Sequence, residues 1–214
     1  MHKLLIKELR LSASALTYFF IAFPLLTLAP GYPILVGAFF VCLGLFQSFQ
    51  NGRETNDVLY TALLPVRKSD TVRAKYVFTC FIELCAFALA CVLTALRMTV
   101  MRNFPPYVNN ALASANLVFL AFTLLVYAAF NTVFLHGFFK TAYKTLRPFV
   151  TFAITTLVLV AVAETLWHIP PLAFLNETYR PAHIIILALA ALTYAVSTLL
   201  SLRASQKTFD QIDL

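Results

Sequence analysis

Six long apolar runs dominate this chain and leave little else to fold. They lie at roughly 13–29, 33–49, 76–96, 116–138, 148–167 and 182–202, separated by polar or proline-rich interruptions. A helix needs about 20 mostly apolar residues to cross a hydrocarbon layer about 30 Å thick, so each run reads as one crossing. Hydrophobic residues make up 61% of the 214 residues and charged ones only 12%, about half the charged share of a soluble domain. Residues 1–214 therefore read as one transmembrane domain with no room for a soluble one. Lipid offers no hydrogen-bond partners, so the spans must close their backbone bonds internally. Long runs without period-two alternation favour helices over a β-barrel, and the expected fold class is an all-α integral membrane protein with six spans.

Charge orients the bundle. Of the 16 Lys and Arg residues, only Arg97, Arg102 and Arg180 fall on one side of a six-span layout; Lys3, Lys7, Arg10, Arg53, Arg67, Lys68, Arg73, Lys75, Lys140, Lys144, Arg147, Arg203 and Lys207 fall on the other. The positive-inside rule makes the richer side cytoplasmic and predicts both termini inside. The same scatter argues against a nucleic-acid partner, which would need the basic residues on one face. In residues 1–12, Lys3, Lys7 and Arg10 repeat at helical spacing opposite Leu5, Ile6 and Leu9, the pattern of a helix lying in the membrane interface. The rival reading, a cleaved signal peptide ending at Ala29, would put Pro30 after the scissile bond and leave five spans with a poorer charge balance.

The connections on the other side, 97–115 and 167–181, carry Pro105-Pro106 and Pro170-Pro171, with Tyr107, Trp167 and Tyr179 suited to headgroup level. Asn176-Glu177-Thr178 matches a glycosylation sequon, a weak pattern. Cys42, Cys80, Cys85 and Cys91 all lie in apolar runs and read as packing residues rather than disulfides or a zinc site.

The longest cytoplasmic connection, 51–75, combines helix signals, apolar residues and mixed charge. Thr55 or Asn56 can cap a short helix over 57–64, Asp57 suits its positive end, and Pro65 limits it. Ser69 can cap the next helix. If that helix runs over 70–96 it spans about 40 Å, so its first turns project beyond the lipid. Val58, Leu59, Ala62, Leu63 and Leu64 form an apolar surface suited either to the lipid interface or to a partner protein.

Asn56-Asp57-Val58-Leu59, Leu64-Pro65-Val66-Arg67-Lys68, Val72 and Lys75-Tyr76 resemble the cytoplasmic loop of small ABC-2 family permeases. The six-span layout, the basic N-terminal segment and the charged tail over 207–214 extend the resemblance in outline to most of the chain. It implies that 57–64 is a coupling helix docking on a separate ABC ATPase through Asp57, Val58, Leu59, Leu63, Leu64 and Arg67. It further implies a second permease subunit, identical or related, a bacterial plasma membrane, and export of an amphipathic or hydrophobic cargo such as a peptide, an antimicrobial or a lipid-like molecule. No G-x-x-x-x-G-K-[ST] run occurs, so ATP and Mg belong to the partner and this chain needs no cofactor.

Glu83 lies about 10 Å into the third span, where an ionised carboxylate is costly. It can face a translocation pathway or bond to Tyr, Thr or Asn on neighbouring helices. Glu164 and His168 sit near the outer end of the fifth span and read as boundary residues. Asn131 and His136 lie near the cytoplasmic end of the fourth, and His183 begins the sixth; none has metal-ligand spacing. Phe19-Phe20, Phe39-Phe40 and Phe138-Phe139 can line an apolar pathway or face lipid. H-E-x-x-H, C-x-x-C and G-x-S-x-G are absent, so no catalytic residue is expected. Two rivals remain: the substrate-binding membrane subunit of an energy-coupling-factor vitamin importer, which lacks such a long loop, and a membrane-embedded lipid-modifying enzyme, which would need more clustered acids or histidines than Glu83 supplies.

Overall fold

The computed structural model describes residues 2–63, 66–108, 112–141 and 144–212. Among these the regular structure is entirely helical. In order, α1 (His2–Lys7) continues as a π-turn (Glu8–Ser12), and α2 (Ala15–Phe20) is followed by a 3₁₀ segment (Phe23–Leu28). Then come α3 (Val36–Glu54), α4 (Asp57–Ala62), α5 (Lys68–Thr99), α6 (Pro105–Val108) and α7 (Leu117–Ala129). A second π-turn (Phe130–Leu135) joins α7 to α8 (His136–Lys140); α9 (Leu146–Leu166), a 3₁₀ segment (Pro170–Asn176) and α10 (Pro181–Asp210) complete the bundle.

Four helices are long and apolar enough to cross a membrane: Lys68–Thr99, Leu117–Lys140, Leu146–Leu166 and Pro181–Asp210. A fifth arises if Lys3–Ser12 and Ala15–Leu28, which meet at 92°, count as one broken crossing. The expected straight span at 13–29 is therefore replaced by a six-residue α-helix and a 3₁₀ segment. Pro24 supplies the physical reason, because it lacks the N–H that would continue the α2 ladder and fixes its own φ. The run at 33–49 becomes α3, a 19-residue helix whose last two turns carry Gln47, Gln50, Asn51, Arg53 and Glu54. It is too polar at that end to join the set of four, and most of it is buried inside the bundle.

Small residues let α2 lie against α3. A methyl added at Gly44 would sit 2.6 Å from Phe20 Cβ, so only glycine permits this approach. Polar pins fix the register: Thr17 Oγ1 donates to the Gly44 carbonyl at 2.6 Å, and Ser48 Oγ accepts from Ser14 N–H at 3.0 Å. Ser14 also caps α2 by accepting from Leu16 N–H.

The centre of the molecule is aromatic. Phe46, Phe49, Phe130, Phe134, Phe138, Phe139 and Phe152 interlock, with Phe46 and Phe149 stacked at 3.9 Å. Phe138 and Phe139 are buried in this core, which corrects their reading as pathway-lining or lipid-facing groups, whereas Phe19 is 64% exposed. The Leu117–Lys140 helix is the most enclosed of the long helices, while α9 and α10 turn most of their apolar surface outward.

Two ends follow. At one, α1, α4, the start of α5 and the end of α10 converge, with Lys68 Nζ donating to the Ile212 carbonyl at 2.7 Å and Gln206 Nε2 to the Ser69 carbonyl at 3.1 Å. Ser69 thus lies inside α5, whose N-cap position falls on Arg67, rather than capping it. At the other end Arg97 donates to the Thr27 carbonyl at 2.7 Å. There Asn116 Nδ2 also donates to the carbonyls of Leu175 and Glu177 at 2.7 and 2.9 Å.

Candidate functional site

The turn between α3 and α4 is made by Asn56, whose φ of 53° lies in the left-handed region that Asn tolerates better than most residues. Thr55 bonds back to the Asn51 carbonyl at 2.9 Å and so closes α3 instead of capping α4. This turn swings α4 across the end of the bundle and aims Asp57 inward. Asp57 Oδ1 meets Lys7 Nζ at 2.7 Å, and Oδ2 meets Lys75 Nζ at 3.1 Å. Glu8 completes the ring, 2.9 Å from Lys75 and 3.3 Å from Lys7. Thr61, one turn along α4, accepts from Lys7 Nζ at 2.6 Å, and Ser12 donates to Asp57 at 3.3 Å.

These two cations and two anions have side chains only 3% to 17% exposed. Charges so far from water persist only when paired and hydrogen-bonded. The ring meets that condition with zero net charge. Burial raises the Asp57 carboxyl, but Lys75 and Lys7 outweigh it and hold the group below its ordinary value. The ring ties three separate elements together: the N-terminal segment, the α4 cross-helix and the first two turns of the longest helix.

The residues expected to dock a partner therefore divide. Asp57 is engaged inside the protein and is not free to contact one. Leu63 is 79% exposed just past α4, and Arg67 is exposed at the start of α5. Val58 and Leu59 lie on α4, but their side chains are outside the described set, as is Leu64 altogether. Tyr60, 67% exposed and three residues before Leu63, shares its helical face and was missed by sequence reasoning, which counted only aliphatic side chains. Lys7, Glu8 and Lys75 were also missed as a unit. Lys75 carried a signal, since a charge three residues from buried Val72 and four from Thr79 falls on the inward side of α5.

Glu83 lies deeper on that face. Val72, Tyr76, Thr79, Glu83, Ala86, Ala90, Leu93 and Arg97 form one buried stripe at alternating spacings of four and three. Glu83 Oε2 accepts from Asn131 Nδ2 at 3.0 Å and from the Tyr194 hydroxyl at 2.8 Å. Asn131 belongs to the π-turn between α7 and α8, where the widened backbone leaves its carbonyl to accept from Ser201 Oγ at 2.7 Å and Tyr76 OH at 3.3 Å. Tyr76 bonds also to Ser205, which reaches His136 Nδ1 at 3.2 Å. A polar column thus joins α5, α10 and the π-turn inside an apolar bundle.

The remaining candidates are local. Glu164 Oε2 accepts from Ala113 N–H at 2.8 Å near the end of α9, and exposed His168 bonds to the Glu164 carbonyl. His183 is fully buried between the Phe174 carbonyl and Arg180 N–H. All four cysteines are free thiols. No three His, Cys, Asp or Glu residues group as metal ligands among the described residues.

No curated protein and no solved structure matches the chain. The family model described as ABC-2 family transporter protein matches residues 3–206, which takes in the charge ring, α4 and the whole polar column. The chain therefore belongs to the ABC-2 family of transporter membrane proteins.

Proposed function

We propose that this chain is the permease subunit of an ATP-driven exporter, working with a separate ABC ATPase that carries ATP and Mg and with a second permease subunit. Its α3 and its bent N-terminal segment complete six crossings beside the four long helices, with both termini in the cytoplasm of a bacterial cell. The cargo is amphipathic or hydrophobic and moves outward.

One observation carries this reading. Tyr60 on α4 and Leu63 just past its end present exposed apolar side chains, while Asp57 and Thr61 of the same helix are held to α1 and α5. A helix gripped on one side and bare on the other can pass a push from a docked subunit directly into a membrane-crossing lever. Lys75 receives that push two turns into α5, and buried Glu83 lies about two turns further along the same helix.

Copurification tests the reading. Tyr60→Ala with Leu63→Ala should weaken retention of the ATPase on the order of tenfold, as loss of a central apolar anchor does. The unfolding midpoint of the isolated chain should stay unchanged, because both side chains are exposed. Undiminished retention would show that α4 is not the docking element.

A further inference from the structure

Two of the three basic residues that break the charge asymmetry meet at one cavity. The third, Arg180, is neutralised by Glu177 at 2.6 Å. Arg97 and Arg102 have no carboxylate within ion-pair distance among the described residues, and the sequence from 97 to 115 contains neither Asp nor Glu. Both line a cavity of about 290 Å³ together with Met98, Met101, Asn103 and Tyr107, at the end of the bundle away from α4.

Arg97 is only 7% exposed. Its Nη1 donates to the Thr27 carbonyl at 2.7 Å, and its guanidinium carbon lies 4.0 Å from the centre of the Tyr107 ring. Tyr107 is itself held by its hydroxyl, which donates to the Leu28 carbonyl at 2.8 Å. The plane of the guanidinium is thus set from two sides, while one carbonyl takes a single one of its five N–H donors. A desolvated cation of fixed orientation without a counter-ion is costly, and an oxyanion reached by the remaining donors removes that cost.

We propose that this cavity binds the phosphate of an anionic amphiphile headgroup, held by Arg97 and Arg102, with Met98 and Met101 against the first apolar atoms beyond it. The position suits this ligand: α5 is one of the four helices long and apolar enough to cross a membrane, and Arg97 sits in its last turn, at the end where such a helix leaves the hydrocarbon. Arginine forks match phosphate oxygens better than lysine does, and flexible methionine side chains adapt to varied apolar shapes. The same chemistry would accept free phosphate, so the two sources must be separated by experiment.

The full chain in neutral detergent is titrated calorimetrically with dioctanoyl phosphatidylglycerol, dioctanoyl phosphatidylcholine and inorganic phosphate. Saturable phosphatidylglycerol binding is expected, stronger than that of the zwitterionic lipid and about fivefold or more weaker in Arg102→Gln. Arg102 lies beyond the end of α5 and is exposed, so this variant keeps the fold. Arg97→Lys, which retains charge but not the fork, should weaken binding similarly. Saturable inorganic phosphate binding that is lost in the same variants, without lipid binding, keeps phosphate recognition but assigns the site to a free anion and overturns the headgroup. No saturable binding, or equal binding by wild type and both variants, overturns the site.

Discussion

Lys75, eight residues into α5, reaches Asp57 of α4 at 3.1 Å, although 18 positions of chain separate them and Glu8 lies 2.9 Å from the same ammonium. The contact joins the helix exposed at the end of the bundle to the one that also carries Glu83. Lys75 is the member of the four-charge ring that ties α4 to α5.

Removing that charge should be costly. Lys75→Met leaves Glu8 and Asp57 sharing Lys7 alone, and breaking a buried pair costs about 3 kcal/mol. Thermal unfolding in detergent should show the loss. Lys75→Met combined with Asp57→Asn should cost less than the sum of the two single changes, since each removes the burden the other creates. Strict additivity would show that the ring is not an interacting unit.

Acid should loosen the same ring. Asp57 is held below its ordinary value in the folded protein, so its contribution is present above the unfolded carboxylate value, about 3.9, and is lost as pH falls through the lower folded value. Unfolding midpoints compared below about pH 4 should therefore fall less steeply in Asp57→Asn than in wild type. Parallel slopes would remove Asp57 from the acid response.

At Glu83, the shape of the replacement should matter more than its charge. Glu83→Gln keeps an oxygen for Asn131 and Tyr194 and should lower stability by about 1 kcal/mol or less. Glu83→Ala strands both donors in an apolar core and should lose about 2 to 4 kcal/mol. If Glu83→Gln also preserves ATP-coupled export, Glu83 braces the bundle and takes no part in the pathway; lost export with normal stability would assign it to transport.

Packing between α2 and α3 should reject any side chain at Gly44. Gly44→Ala drives its methyl to 2.6 Å from Phe20 Cβ, and such overpacking costs about 1 to 3 kcal/mol. Because the obstructing atom is a Cβ near the backbone rather than a mobile ring edge, Phe20→Leu should not rescue it. Full rescue measured by unfolding midpoint would mean that the ring alone sets the clash.

The amino-acid sequence by itself determined that this chain is helical and lipid-solvated, because run length and hydropathy are properties read along one dimension. It also held the family resemblance and the position of α4, since Asn56, Asp57 and the following apolar residues are contiguous. Tertiary structure decided which residues face one another. Pro24 reads locally as a proline in an apolar run, yet the 3₁₀ segment it opens brings Thr27 and Leu28 to Arg97 and Tyr107. Asp57 carries helix-start chemistry in sequence, but its partners Lys7 and Lys75 lie 50 and 18 residues away. A buried charge is tolerated only where an opposite one arrives through space. Glu83 stands between these cases: its place on the buried stripe of α5 is legible in the spacing of Tyr76, Thr79, Ala86 and Ala90, whereas its bonds to Asn131 and Tyr194 exist only because a π-turn and α10 meet it there.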